Sequence, residues 1–511
     1  MRSAKDFIRD GLMLTVTSLL LRTAGVFFSA RLSIIAGKAV MGLYTQIMTV
    51  YAFAVTAASA GINLGATRIV SECYGSGELG KIHHALKACL RYCLISGITV
   101  GALLFFAAPM LGGIVLRDGR TVISFRALAF ALPFIALSNA LHGYFNGVKE
   151  IPKSAFTSLF EQFARIFATI TALTAFSDAS TEMLCFILVV CNASSEALSF
   201  FILSVFYKLS NKRFSPDAHC DSSLKRRFTG ITLPIAASSL IRSALTTTEH
   251  ILIPIGLRKS GLSGEGALGE YGIMSGMVLP ILLYPMALLT SFASLTVAEL
   301  SARVSAGEGR ETLRNTAAKG LTFALIYGIG CTAIVRRFAS ELGNAIYKSD
   351  EAGRFIALMA PLIIFMYLDH IADGMLKGLD KQNYVMKVNI LDAALSVVFA
   401  LVLIPRFGIY GFAASLYLCE ILNCIFSFSK LFMLLHPPIT LIYTFIIPTA
   451  SAFIAVYAVS YTVSQSVVFN IISAVMIYFA LLKATGALKI FGGSANSVMQ
   501  AQTQNKASAH H

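Results

Sequence analysis

The chain has 511 residues, of which 56% are hydrophobic and 13% charged, with a formal net charge of +15. Soluble domains carry about 25% charged residues and about 45–50% apolar ones, so an ordinary soluble enzyme, a disordered chain and a disulfide-stapled secreted domain are excluded. What remains is a polytopic membrane protein, read by its apolar segments.

Arg2, Lys5 and Arg9 precede an apolar run that outlasts a signal peptide and meets no small-residue cleavage site, so it reads as the first membrane span. A span needs about 20 apolar helical residues. Fourteen segments qualify: 11–35, 43–66, 89–113, 122–146, 155–176, 183–207, 230–256, 272–298, 316–335, 354–376, 385–404, 409–432, 440–462 and 466–485. The polar end, 491–511, reads as a disordered tail. The loops are short, which leaves no room for a soluble catalytic domain, so a transporter rather than an enzyme is expected. Its energy must come from an ion gradient, the membrane potential or the cargo's own gradient.

Loops on one side carry 26 Lys and Arg residues and those on the other side 12. The positive-inside bias then puts both termini in the cytoplasm and explains the net charge without nucleic acid. Three basic residues remain near mid-membrane: Arg22, Arg165 and Arg242. The nine cysteines are scattered, with no CxxC pair, and read as small core residues. Gly75–Gly80 fits GxGxxG but follows a membrane span rather than a strand, and the Asn192-Ala-Ser194 sequon lies inside span 6, so neither carries function.

The chain repeats itself. Arg126 and Pro133 match Arg354 and Pro361; Gly143 and Gly147 match Gly374 and Gly378; Glu161 matches Asp392; Gly77-Glu78 matches Gly307-Glu308. The offsets are 228, 231, 231 and 230. A unit of six spans has an even number of crossings, so the two halves share one orientation: parallel repeats with a transport site between them. The expected organisation is 1–215 (spans 1–6), 216–435 (spans 7–12) and 436–490 (spans 13 and 14). Prolines inside spans, at 133, 234, 254, 280, 285 and 361, allow kinks.

A charge at the bilayer centre costs at least about 2.5–3.5 kcal/mol, so each needs a partner or a function. Arg22 and Arg242 lie on the first spans of the two halves, and guanidinium groups facing one cavity would grip a diphosphate bidentately. Arg165 follows Glu161 by four residues, the order of a structural ion pair, although both also belong to the candidate substrate set. Asp369 and Asp373 share a face of span 10, and two like charges ask for a cation or a proton. Asn389 and Asp392 on span 11 and Glu249 on span 7 extend this candidate sodium or proton site. No other cofactor is expected.

The stretches Gly42-Leu-Tyr-Thr-Gln46, Ser59-Ala-Gly-Ile-Asn63 and Arg68-Ile-Val-Ser-Glu72 resemble the stage V sporulation protein B family. So do Arg126-Ala-Leu-Ala, Gly143-Tyr-Phe-Asn-Gly147, Glu161-Gln-x-x-Arg165, Tyr271-Gly-Ile-Met-Ser-Gly276, Gly374-x-x-x-Gly378 and Gly408-Ile-x-Gly411. The resemblance spans about residues 11–435 and implies kinship with MurJ-like lipid II flippases, polysaccharide exporters and multidrug extruders. It implies a V-shaped pair of six-helix lobes with two C-terminal helices forming a lipid-facing groove. It also implies alternating-access export of undecaprenyl-diphosphate-linked sugars across the bacterial cytoplasmic membrane. Arg22 falls where such flippases carry a cavity arginine. Glu249, Asp369, Asp373, the Val385 carbonyl and Asn389 fall at a sodium site found in some members, with Glu249 and Asn389 as substitutions. The arginine that MurJ-like flippases carry early in span 8 is absent from 272–290.

The leading expectation is therefore a flippase for a polyprenyl-diphosphate glycan or peptidoglycan precursor, with that glycan lipid, membrane lipids and cell-wall synthesis enzymes as partners. A cation-coupled multidrug antiporter is the alternative, which mid-membrane arginines disfavour. A non-transporting scaffold of a wall-synthesis complex is the third reading.

Overall fold

The computed structural model describes residues 4–59, 79–176, 179–211, 222–305, 307–460 and 466–488, with isolated residues between 60 and 78. The tail 491–511, Gly77-Glu78, most of Gly75–Gly80, Cys220 and the loop cations Arg2, Lys212, Arg213, Lys489 and Lys506 lie outside these residues. So do Ala60, Gly61, Asn63, Arg68, Ile69 and Glu72 of the family-like stretches.

The described residues form helices and no strand. They are α1 (Ala4–Ser59), α2 (Leu79–Met110), α3 (Val122–Gly147), α4 (Ile151–Ala175), α5 (Thr181–Asn211) and α6 (Ser222–Lys259). Then come α7 (Gly264–Ile273), α8 (Leu279–Leu283), α9 (Met286–Ser305), α10 (Arg310–Arg337), α11 (Ala339–Tyr347) and α12 (Asp350–Met359). The chain closes with α13 (Leu362–Gly378), α14 (Gln382–Leu435), α15 (Ile447–Ser460) and α16 (Val467–Ala484). The described parts of the fourteen expected segments are helical, although 272–298 and 354–376 are each broken over more than one helix, and 43–66 and 440–462 run beyond the described residues. Among the described residues nine helices are long and apolar enough to cross a membrane, or ten when α12 and α13 count as one bent span. The more polar α4 and α6 are not among them. This is a multi-pass helical membrane protein.

Two of the long helices are really pairs. Within α1, Gly37 leaves helical geometry at φ +81°, and within α14, Gly408 does so at φ +58°. Only glycine takes such angles without a Cβ clash, so these residues divide spans 1 from 2 and 11 from 12. Prolines act unevenly. Pro361 sits where α12 and α13 bend by 53°, and Pro285 sits in the break between α8 and α9. Pro133 and Pro254 lie inside unbroken helices.

By packing, the described residues form two compact units, one within 1–280 and 389–419 and the other within 281–388 and 420–488. This division differs from that of the sequence repeat, because α1 packs on α6 and α7 within the first unit. The repeat nevertheless recurs inside each unit as one local contact. A Cβ at Gly147 would meet Val70 at 2.7 Å and the Thr67 carbonyl at 3.0 Å. A Cβ at Gly378 would meet the Val297 carbonyl at 3.1 Å and Leu300 at 3.3 Å. The two glycines are 231 positions apart and both partner pairs 230 apart, matching the sequence register. Side-chain hydrogen bonds flank each contact about one turn out of that register: Thr67 Oγ1 donates to the Gly143 carbonyl (3.2 Å), and Ser301 Oγ donates to the Gly378 carbonyl (3.2 Å).

Candidate functional site

The mid-membrane arginines all belong to the first unit. Arg22 of α1 is half-buried and Arg242 of α6 is exposed. Helix α6 packs on the part of α1 beyond Gly37, the span that follows Arg22's own: Thr247 Oγ1 lies 3.4 Å from the Thr49 carbonyl, and Ser243 Oγ lies 3.4 Å from Thr56 Oγ1. A guanidinium exposed at the expected mid-membrane depth would be tolerated only where it meets water or a polar ligand rather than lipid.

Arg165 has a different setting. Its Nη1 donates to Asn192 Oδ1 of α5 (2.9 Å), and its Nη2 donates to Gln162 Oε1. Glu161, one turn earlier, acts on it through charge, and so does Glu196 of α5, which is 9% exposed. The neutral amides, not the i−4 carboxylate, hold the guanidinium. Glu196 escaped sequence reasoning, which had weighed buried cations first. Its signal was available, because it is the midpoint of an apolar span (Thr181–Ser210).

The acids assigned to an ion site divide between the units. Glu249, Asn389 and Asp392 belong to the first unit, and Asp369, Asp373 and Val385 to the second. In the first unit, Ser396 Oγ donates to Glu249 Oε2 (2.8 Å), and Asp392 acts on Glu249 through charge. In the second, Asp369 and Asp373 are 9% and 7% exposed. Asn423 Nδ2 donates to Asp369 Oδ2 (3.0 Å), and Ser427 Oγ donates to Asp373 Oδ1 (2.9 Å). Two acids one helical turn apart on α13 thus meet two polar side chains one turn apart on α14, which neutral donors make tolerable. Among the described residues no three His, Cys, Asp or Glu side chains converge as metal ligands.

One open cleft of about 450 Å³ in the first unit lies between Asp118–Arg120 and Arg258–Glu265. Arg120 grips Asp118 with both ends of its fork, Nε to Oδ1 at 2.9 Å and Nη2 to Oδ2 at 2.7 Å. Burial alone would raise the Asp118 carboxyl. The hydrogen bonds and charge of Arg120, with help from Arg258, outweigh it and hold Asp118 below its ordinary value.

Within the first unit, α1 and α7 make a close backbone contact. Gly42 of α1 and Gly272 of α7 bring their backbones together: a Cβ at Gly272 would lie 2.8 Å from the Gly42 nitrogen and would strike the Lys38 carbonyl. Next to this seam, Ser33 Oγ lies 3.9 Å from Met277 Sδ, both buried.

Comparison with known proteins follows the same lines. The profile of the family described as polysaccharide biosynthesis protein matches residues 7–292, and the MatE profile matches residues 255–402. Stage V sporulation protein B of Bacillus subtilis (strain 168) is 24% identical over 425 residues, covering 81% of each chain. Lipid II flippase MurJ of the same organism is 23% identical over 177 residues, 33% of this chain and 32% of that one. Among solved structures, a lipid II flippase MurJ in an inward closed conformation superposes with a TM-score of 0.65 at 11% identity, covering 92% of this chain and 98% of that one. An inward-facing multidrug resistance MATE family transporter of the MOP superfamily superposes with a TM-score of 0.57 at 14% identity, covering 85% and 99%. These superpositions establish a shared fold.

Proposed function

Because this chain belongs to the polysaccharide biosynthesis protein family, we propose that it moves a polyprenyl-diphosphate-linked glycan across the cytoplasmic membrane by alternating access. The observation that carries this reading is the exposed Arg242 of α6, a helix packed against the span that follows Arg22's own beyond Gly37. Such a group is tolerated in contact with a hydrated anion and not with a hydrocarbon or a cationic drug. The similarity to stage V sporulation protein B and to a lipid II flippase supports the same cargo class. With the N-terminus in the cytoplasm, the Gly42–Gly272 seam lies toward the outer face, and its close packing suits a state that loads from inside. Asp369 and Asp373 are the acids we assign to the coupling sodium ion or proton.

The test is headgroup accessibility in proteoliposomes carrying fluorescent undecaprenyl-diphosphate sugars, for the intact protein, Arg22→Ala and Arg242→Ala. Translocation by the intact protein and its loss in both variants is expected. Equal rates in all three refute the arginine role. The second reading, a cation-coupled multidrug antiporter, draws on the MatE match and the MATE superposition. It would replace the first if ethidium efflux appeared without lipid translocation.

A further inference from the structure

The Glu161–Arg165–Glu196 cluster is not explained by cargo recognition. Its neutral acceptors, Asn192 Oδ1 and Gln162 Oε1, are both taken by Arg165. The Arg165–Asn192 hydrogen bond ties α4 to α5, and Glu161 lies one turn before Arg165 as Glu196 lies one turn after Asn192, so two carboxylates share this level with one guanidinium and leave one negative charge. Such a charge is costly, and two carboxylates that feel each other cannot both ionise cheaply. A second observation points the same way. Tyr51 of α1 is 2% exposed, its hydroxyl has no hydrogen-bond partner among the described residues, and it feels the charge of both Glu161 and Glu196. Asn192 Nδ2 is likewise buried and unpartnered. Buried polar atoms are normally satisfied, so two such donors beside a carboxylate pair mark a place where something polar comes and goes.

We infer that Glu161 and Glu196 share one exchangeable proton beside Arg165, making this cluster a proton-binding site of the first unit. Protonated, the cluster is neutral: one carboxylate answers the guanidinium and the other is an acid. Deprotonated, it holds one negative charge, stabilised by donation from Tyr51 and Asn192. A sodium ion fits worse, because Arg165 repels it and the amide oxygens are already committed. Among the described residues, the packing elements supply no second carboxylate pair at this level. Helix α1 presents Tyr44 and Tyr51, and α5 presents Cys185 and Cys191. Helix α3 spends its own elsewhere: Arg126 over Phe105, His142 on Ser154 and Tyr144 against Tyr207. The site is independent of the proposed cargo, since it needs none to gain or lose its proton.

Infrared difference spectroscopy of the full chain in neutral-lipid vesicles, stepped in pH, tests this. The intact protein should show a carboxylic acid band that bleaches as pH rises, and Glu161→Gln and Glu196→Gln should each lose it. Arg165→Gln should move its midpoint upward by about one to three pH units, because the favourable cation is gone. Tyr51→Phe keeps both carboxylates and the fold's volume, and should shift the band's frequency without abolishing it. The inference falls if the band survives in both Gln variants, if Tyr51→Phe leaves it unmoved, or if sodium rather than pH displaces it. Lipid-translocation assays decide the cargo separately, so failure of either reading is recognisable.

Discussion

Gly272→Ala is the sharpest test of the seam between α1 and α7. The added methyl would stand 2.8 Å from the Gly42 nitrogen and 3.1 Å from its Cα, where ordinary contact begins at 3.4 Å. The three nearest neighbours there are all backbone, so no side chain can swing aside, and the helices must separate by about half an ångström or more. Overpacking of this kind costs about 1–3 kcal/mol. At about 1.4 kcal/mol per tenfold, the closed seam loses roughly five- to 150-fold of its population advantage. A Ser33→Cys reporter, buried on Met277 beside the seam, reads this as its rate of labelling by a water-soluble maleimide. The described native cysteines are buried or half-buried, so background labelling is slow. Gly113→Ala, whose Cβ meets nothing within 4 Å, is the control and should leave the rate unchanged. An unchanged rate in a folded Gly272→Ala protein would refute the claim that this contact holds the seam shut.

Three further outcomes follow from the polar contacts. Asp118→Asn removes a bidentate partner of a one-third exposed arginine and should cost about 1–2 kcal/mol in thermal unfolding at neutral pH. Because the folded carboxyl titrates below its ordinary value of 3.8, that stabilisation is present above 3.8 and fades as pH falls beneath it, so the two melting curves should converge in acid. Asn423→Ala or Ser427→Ala leaves Asp369 or Asp373 short of a buried donor, and each should lower stability by about 1–3 kcal/mol. Ser396→Ala should destabilise by a similar amount through Glu249, and Glu249→Gln made with it should recover part of the loss in a double-mutant cycle.

Much of this architecture is legible in the chain itself. Apolar length marks the long helices but not the nine-residue α11, and Gly37 and Gly408 fall in the gaps left between spans 1 and 2 and between spans 11 and 12. The offset of about 230 residues predicts which backbone contact recurs, because a glycine needed for close approach marks both ends of it. What stays hidden is pairing between distant helices. Spacing alone puts Glu161 against Arg165, but it cannot see that α5 delivers Asn192 to the same guanidinium. Likewise the polar residues Asn423 and Ser427 look like incidental members of an apolar span until packing sets them opposite Asp369 and Asp373. Local sequence encodes a helix face; which face meets it is a tertiary matter.

The one-residue junctions at Gly37 and Gly408 have a practical consequence. A protease needs several unwound residues to thread into its cleft, and an inserted tag needs a loop tip with freedom at both ends. Neither exists where one helix follows another across a single glycine. Exhaustive digestion should therefore leave spans 1 and 2 joined through Gly37, and Gln382–Leu435 as an intact double-span fragment of 54 residues. An epitope grafted at either glycine would report damage to the hairpin rather than the sidedness of the membrane, so topology reporters belong in the longer connections.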